Sequence, residues 1–213
     1  MYPLVSVSLQ QTTGWSKKER HMVSKKIILI AFILVALVQI YVPAKMIVDR
    51  AIVLSSGKEF KFKIAPIDPT DPFRGKYISL NFNENSVAIQ NKGNWVNGET
   101  VFVLLTTDSN GFAKIRSVSK VRPLVSQNFL KAKVNYIAYD GSKLFIEYPF
   151  DRFYMEESKA YDAELTYNRT LRDTSQVTYA LVNIKNGESI LKDVMINGIP
   201  IKEIVKQEQQ NRK

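Results

Sequence analysis

The stretch IILIAFILVALVQIYVP, from Ile27 to Pro43, contains no charged residue, and its one strongly polar side chain is Gln39. About 20 apolar residues span the hydrocarbon core of a bilayer. The following AKMIV extends the run, because the ammonium group of Lys45 can reach the interface. A core helix of a water-soluble domain would carry polar positions every three or four residues, and none precedes Gln39. The stretch therefore predicts a transmembrane helix over residues 27–48.

Basic residues are concentrated before this apolar stretch. An excess of Lys and Arg marks the cytoplasmic side of a span, and here five basic residues stand against one acidic residue, Glu19. We therefore predict a disordered basic cytoplasmic tail at 1–26 and a single pass through the inner (cytoplasmic) membrane, with an extracytoplasmic C-terminal domain. Met22 is also an ordinary start for an anchored protein, so we expect residues 1–21 to be an upstream extension of the reading frame. The basic residues are Lys17, Lys18, Arg20, Lys25 and Lys26.

A cleaved signal peptide is the alternative interpretation of the apolar stretch. The segment Ile27–Ile40 has the length of the apolar region of a signal peptide, and Val42 to Ala44 offers small residues at tolerable cleavage positions. Lys45 and the renewed apolar MIV that follows it resemble a helix leaving the membrane more than a new N-terminus. We therefore favour the anchor.

The composition of the 213-residue chain excludes several classes of site. There is no cysteine, and so no disulfide, thiolate nucleophile or thiolate metal site. The single histidine, His21, lies in the basic N-terminal stretch, which excludes any catalytic arrangement that needs a second imidazole. Glycine-rich nucleotide loops are absent, and we expect no metal and no cofactor. Of the net charge of +10, +4 lies in residues 1–26 and the remaining +6 lies beyond the apolar stretch, where basic residues are scattered among predicted strands. This scatter favours a basic surface over a nucleic-acid or anionic-lipid partner.

Beyond residue 58 the sequence changes to short runs rich in Val, Ile, Tyr, Phe and Thr, several with strict alternation. Asn-Gly and Asp-Gly pairs between the runs are strong hairpin signals. We predict a mainly β (α+β) fold, in which a linker at 49–58 continues the membrane helix to about Ser55-Ser56-Gly57 and an antiparallel β-rich domain follows. The runs are KEFKFKI, KYISLNF, TVFVLLTT, AKIRSVSKV, FLKAKVNYI, KLFIEY, QVTYALVNI and ESILKDVMI.

One segment of the outer region has helical character. Met155–Asp173 carries Ala, Glu and Leu at helical density and contains neither Gly nor Pro. We expect a first β subdomain at 59–125, a second at 126–205 with this helix between its strands, and a polar tail at 206–213 that frays. The stretches DPFRGKYISL and YPFDRFYMEE resemble each other, which suggests that the two subdomains are related.

A proline-rich elbow precedes the second predicted strand, in KIAPIDPTDPFRGKYISLNF. Each proline fixes its own φ and pushes the preceding residue toward extended geometry, so the elbow is stiff. Asp68 and Asp71 can accept hydrogen bonds from backbone amides, and Arg74 can pair with one of them. Gly75 permits a backbone conformation closed to other residues. The elbow is either a braced turn or an exposed recognition edge.

The stretch APIDPTDPFRGKYISLNF resembles the signature of the GDYXXLXY family of bacterial membrane-anchored proteins. Gly75, Tyr77 and Leu80 match, whereas Lys76 replaces the aspartate of the family and Phe82 its final tyrosine. The likeness covers most of residues 22–205. It implies a single N-terminal membrane helix that carries an extracytoplasmic domain. Members of the family are often encoded near polytopic membrane proteins, which implies a membrane partner, and no catalytic residue can be carried over.

We therefore expect a non-enzymatic accessory or protein-binding subunit, bound to the membrane by its helix and to another integral membrane protein by its outer domain. Tyr, Phe and Arg are enriched at interface centres, which favours the strands FRGKYISLNF and YPFDRFYM. One alternative is an envelope hydrolase with a site near Asp68, Asp71 and Arg74. Another is a binder of anionic lipid or polysaccharide. The candidate binding residues are Asp68, Asp71, Arg74, Gly75, Tyr77, Arg152 and Tyr154.

Overall fold

The computed structural model describes five stretches of the chain and divides it into two compact units. The described residues are 17–65, 77–90, 95–124, 128–172 and 176–211. The units are Met1–Val48 and Asp49–Lys213.

The first helix, α1 (Lys17–Ser56), contains the predicted span. Its large apolar side chains between Ile27 and Val48 are exposed. Within the described stretches, Lys25–Ser56 is the one helix long and apolar enough to cross a membrane. Exposing so much apolar surface to water is unfavourable, and α1 is therefore a candidate membrane span.

The start of α1 corrects the predicted boundaries of the N-terminal tail. Residues 17–26 were predicted to belong to a disordered tail, but they are helical. Lys, Glu and Arg have high helix propensity, and adding residues to an existing helix costs little once the apolar run has nucleated it. The rest of the predicted tail, residues 1–16, lies outside the described residues. At the other end, α1 stops at Ser56, which confirms the predicted helix end.

The outer unit contains the end of α1 from Asp49, eleven described strands and two further helices. The strands are β1 (Lys58–Lys63), β2 (Tyr77–Ser79), β3 (Ser86–Ala88), β4 (Thr100–Thr107), β5 (Ala113–Ser119), β6 (Phe129–Ile137), β7 (Lys143–Glu147), β8 (Arg152–Tyr154), β9 (Thr178–Lys185), β10 (Glu188–Ile196) and β11 (Ile199–Pro200). The helices are α2 (Glu157–Arg172), between β8 and β9, and α3 (Ile201–Asn211), after β11.

The strands form three antiparallel sheets, which confirms the mainly β prediction. Their orders are β1-β9-β10-β11, β2-β8 and β3-β7-β6-β4-β5. The sheets do not follow the predicted division at residue 125, because β1 pairs with β9, β3 with β7 and β4 with β6. Residues on both sides of that position belong to one compact unit. The reason is that strand pairing is selected by matching apolar faces, whatever the order of the strands along the chain.

The tight turns confirm the hairpin signals of the sequence. Asn186-Gly187 joins β9 to β10 and Asn197-Gly198 joins β10 to β11, each as a two-residue loop. All four of these residues have positive φ, between 50° and 92°. This is the type I′ geometry that matches the twist of paired strands, and Asn and Gly tolerate it best.

A cluster of aromatic rings lies at the centre of the core. Phe62 of β1 makes edge contacts with Phe82, Tyr148 and Phe150, at centroid distances of 5.1–5.7 Å. All four rings are buried. The Tyr148 hydroxyl donates to the carbonyl oxygen of Glu84 at 2.5 Å, and burial raises the pKa of Tyr148 far above its usual value. The cluster therefore joins β1 to the segments that flank β2 and β7.

Helix α2 confirms the predicted helix, whereas α3 corrects the prediction of a fraying tail from residue 206. The helix α3 is anchored by Ile201 and Val205, which are fully buried. Glu208 accepts a hydrogen bond from the Thr166 hydroxyl of α2 at 2.9 Å. The segment is mostly polar, but Ile201 and Val205 are spaced i, i+4. This spacing places both side chains on one face of a short helix, which can then pack against the core.

Candidate functional site

Two short strands bring together residues that are 73 to 77 positions apart in the chain. Strand β2 pairs with β8 so that Tyr77 faces Tyr154 and Ser79 faces Arg152. Strand β2 belongs to DPFRGKYISL and β8 to YPFDRFYMEE, the two stretches whose sequences resemble each other. The two similar stretches therefore pair with each other in the structure. The rings of Tyr77 and Tyr154 lie 5.5 Å apart between centroids. We call Tyr77, Arg152 and Tyr154 the tyrosine–arginine cluster.

Strand alternation explains why this cluster faces outward. In an extended strand, successive side chains point to opposite faces. Ile78 and Phe153, which face each other across the ribbon, are both 4% exposed and belong to the core. Their neighbours in sequence are therefore directed away from the core, and Tyr154 is 61% exposed.

The guanidinium of Arg152 adds a positive charge to the cluster. Its Cζ lies 5.1 Å from the centroid of the Tyr77 ring, within the range of a cation–π contact. A hydrogen bond with Tyr154 raises the pKa of Arg152 above its usual value, with smaller contributions from Tyr77 and Asp151. The Arg152 side chain is 52% exposed. The cluster therefore presents a permanent cation, framed by two phenol rings, to the surroundings.

The strands beneath the cluster are supported by both C-terminal helices. The hydroxyl of Tyr167 on α2 donates to the carbonyl oxygen of Ser79 at 3.4 Å. Tyr167 is buried, and burial raises its pKa well above the usual value. From α3, Lys202 Nζ lies 5.1 Å from the Phe153 ring centroid. Regular elements thus position the cluster, which lowers the conformational entropy lost when it binds a ligand.

The other predicted site residues are not described by the structure. Asp68, Asp71, Arg74 and Gly75 lie in the stretch 66–76, outside the described residues. A hydrolytic site near Asp68, Asp71 and Arg74 therefore stays a prediction. Of the seven candidates, the structure brings together the three that form the tyrosine–arginine cluster.

Sequence reasoning missed a polar tie centred on Glu84. Its carboxylate pairs with Lys114 of β5 and lies 3.5 Å from the amide nitrogen of Ile115. Its backbone carbonyl accepts the hydrogen bond from Tyr148. The two charged partners are 30 residues apart, and no local pattern marks them. The tie connects the segment before β3 to the edge strand β5 of the same sheet, which is a structural role.

Metal-binding chemistry has no candidate in the residues that the structure describes. No group of three or more His, Cys, Asp or Glu side chains is placed there to hold an ion. The described part of the site therefore offers binding through aromatic faces, hydroxyls and one cation.

A family model described as GDYXXLXY protein matches residues 39–194. The chain belongs to the GDYXXLXY family. The match begins inside α1 and ends in β10, so it includes most of the outer unit. Searches of the curated proteins and of the solved structures found no match. The description of the GDYXXLXY family names a sequence pattern and no activity, so the family match indicates no reaction.

The structure separates the roles of the GDYXXLXY residues in this chain. Leu80 and Phe82 are 6% and 4% exposed and pack in the core, whereas Tyr77 is half-buried and belongs to the tyrosine–arginine cluster. Phe82, which replaces the last tyrosine of the motif, lies among the rings of the central aromatic cluster. Of the described motif positions, Tyr77 is thus the one available to a partner.

Proposed function

We propose that this protein is a single-pass protein of the bacterial inner membrane whose β domain binds another integral membrane protein through the tyrosine–arginine cluster. Its N-terminus lies in the cytoplasm, because basic residues precede the apolar helix. The β domain lies on the outer side of that membrane. In this role the protein is an accessory subunit and catalyses no reaction.

The observation that carries the proposal is the pairing of the half-buried Tyr77 with the exposed Tyr154 beside Arg152. Tyr and Arg are, with Trp, the residue types most enriched at energetic centres of protein interfaces, because they combine large apolar area with directed polar groups. Fixing them on paired strands reduces the entropy lost on binding. The cation favours a partner surface that carries carboxylates or carbonyl oxygens.

Site-specific photo-crosslinking tests the proposal. A benzophenone side chain at Tyr154, in the full chain in native membranes, is expected to capture one dominant polytopic membrane protein. Tyr139 is the matched control, because it is the same residue type, is 99% exposed and lies in the β6–β7 turn. A probe at Tyr139 is expected to capture much less of that protein.

The Arg152→Ala variant provides the second arm of the experiment. Arg152 is half-exposed, so its loss is expected to leave the fold intact while reducing the crosslink from position 154. Equal capture from positions 154 and 139, or a crosslink unchanged by Arg152→Ala, would contradict the proposal.

An anionic lipid or polysaccharide is the second candidate ligand of the cluster, favoured by the permanent cation of Arg152. Binding of such a polyanion weakens steeply as salt increases, because exposed charges are screened. Retention on vesicles or polysaccharide that is lost with salt and with Arg152→Ala, without a protein crosslink, would support this candidate.

A further inference from the structure

The connection between β5 and β6 presents two exposed aliphatic side chains between cations. Val121 is 74% exposed and Leu124 is 100% exposed, and Lys120 and Arg122 alternate with them. We call residues 120–124 the basic–apolar loop. Single exposed aliphatic side chains are common on proteins. Two of them within four residues, interleaved with cations, have the composition of segments that lie at a membrane surface.

Hydrogen bonds fix the backbone of the loop in the conformation that exposes these side chains. The Ser119 hydroxyl donates to the carbonyl oxygen of Val121 at 2.9 Å and accepts from its N–H at 3.0 Å. Arg122 donates to the carbonyl oxygen of Asn186 at 3.1 Å, and its guanidinium lies 5.9 Å from the Phe129 ring centroid. The loop is thus fastened on both sides of Val121 while its aliphatic groups stay outside the core.

The basic–apolar loop is linked to the C-terminal end of α1 through the end of β9 and the turn that follows it. Lys185, the neighbour of Asn186, donates from Nζ to the Ser56 hydroxyl at 2.6 Å. Ser56 is the last residue of α1, and the outer unit begins at Asp49. At about 1.5 Å per residue, the helix from Asp49 to Ser56 is roughly 10 Å long. The loop is therefore connected, through the turn at Asn186, to the helical segment at residues 49–56. We call this segment the tether.

We propose that the basic–apolar loop contacts the lipid surface of the membrane that α1 spans. Val121 and Leu124 enter the headgroup region, and Arg122 lies near lipid phosphates. Lys120 adds less to this contact, because its ammonium already pairs with Glu99 at 2.8 Å. This inference rests on the membrane anchor of the proposed function. A short tether keeps the effective concentration of lipid at the loop high, so a weak contact suffices. Cations beside apolar groups complement anionic headgroups.

A protein partner is the other occupant that this composition could fit. Lipid is favoured because the tether keeps the membrane within reach of the loop in every anchored molecule, whereas a second protein must be recruited. The experiment therefore has to separate contact with lipid from burial against protein.

The chain contains no cysteine, so one introduced cysteine can be labelled uniquely. An environment-sensitive NBD fluorophore on Leu124→Cys, in the full chain reconstituted into phosphatidylcholine–phosphatidylglycerol vesicles, is expected to emit at shorter wavelength than in water. A nitroxide attached to the lipid is expected to quench the fluorescence of this label. Tyr139→Cys is the control at the far end of β6, a strand that spans about 30 Å at ~3.3 Å per residue. The control label is expected to emit as in water and to resist quenching.

A second variant tests whether the apolar group of the loop drives the contact. Val121→Glu, combined with the label at position 124, is expected to reduce both the wavelength shift and the quenching, because it places a carboxylate among lipid phosphates. Quenching that stays unchanged in this variant would contradict the inference.

Flotation of the chain with the vesicles reports the anchor separately. A chain that floats while the label at position 124 behaves as in water overturns the loop inference and leaves the anchor standing. A wavelength shift without quenching by the lipid nitroxide shows burial against protein and also overturns it. A chain that does not float contradicts the anchor, and with it both proposals.

Discussion

At the residue scale, positions close in sequence have opposite roles. Tyr77 and Leu80 are three residues apart on an extended segment, so their side chains face opposite sides. Leu80 is buried in the core, and Tyr77 contacts Arg152 at the surface. In this chain the motif therefore combines one position at the surface with positions that pack in the core. A substitution at each is expected to have a different effect.

Phe62 is a core residue whose loss is expected to lower stability strongly. It contacts three other rings and is 1% exposed. Phe62→Ala is expected to lower the free energy of unfolding by about 3–5 kcal/mol, because it removes apolar contacts and leaves a cavity. Urea unfolding of the full chain in detergent measures this. Tyr139→Ala, at an exposed ring, is expected to change the free energy of unfolding by less than about 0.5 kcal/mol. Equal losses of stability in the two variants would contradict the packing described.

Asp193 makes stability depend on pH. Burial raises the pKa of Asp193 above the usual 3.8, and the nearby charge of Glu203 raises it further. The hydrogen bond from the Val194 amide and the charges of Lys202 and Lys192 lower it, but their effect is weaker than that of burial. Because the folded state binds the proton more tightly than the unfolded state, this group destabilises the fold as pH rises through the interval between the two pKa values.

The Asp193→Asn variant tests this linkage. At neutral pH it is expected to unfold at a higher urea concentration than the parent chain, because the half-buried carboxylate has been removed. Below the usual pKa of 3.8 the difference is expected to disappear, because Asp193 is then protonated in both states. A variant less stable than the parent at neutral pH would contradict the assignment.

At the element scale, the junction between α1 and the first sheet depends on a close approach. Asn183 of β9 donates from its side-chain amide to the carbonyl oxygen of Leu54 at 2.7 Å, which satisfies one of the free carbonyls at the helix end. Gly57 follows, and a Cβ there would collide with the backbone oxygen of Val53 and lie 3.2 Å from the amide nitrogen of Ile184. Only glycine fits between the helix end and the strand.

Replacing this glycine is expected to loosen the junction. Gly57→Ala should destabilise the outer unit more than Gly111→Ala does, although both replace a glycine in a turn. Gly111 has a φ of 81° and open space around its Cβ position, so alanine there costs only backbone strain of about 1–2 kcal/mol. At Gly57 the backbone itself must move. Hydrogen exchange of the amides in β9 would detect the difference, and equal exchange in the two variants would contradict the close approach.

Local patterns predicted some elements better than others. The Asn-Gly turns and α2 follow from residue chemistry that acts within a few positions. Helix α3 does not, because its stability depends on Ile201 and Val205 finding a surface to bury against. The pairing of β2 with β8 was equally hidden, since two three-residue strands carry too little pattern to specify a partner 75 residues away.

At the scale of the whole molecule, the topology proposal is directly testable. Full-length protein is expected to remain in the membrane after carbonate washing and to leave it only with detergent. Protease added to spheroplasts is expected to digest the outer unit, residues 49–213, and to leave a fragment that contains the part of α1 before Asp49. Digestion that requires lysis of the spheroplasts would contradict the orientation, and recovery of the full-length chain in the soluble fraction would contradict the anchor.

The sequence alone determined the apolar helix, the β-rich character of the rest and the family, because each depends on composition or short-range spacing. Tertiary structure decided which strands pair, that residues 49–213 form one unit, and that Tyr77 meets Arg152 and Tyr154. The physical reason is that strand pairing and the burial of apolar faces are contacts between distant residues, whose free energy depends on the fit of the folded chain and leaves no local signal.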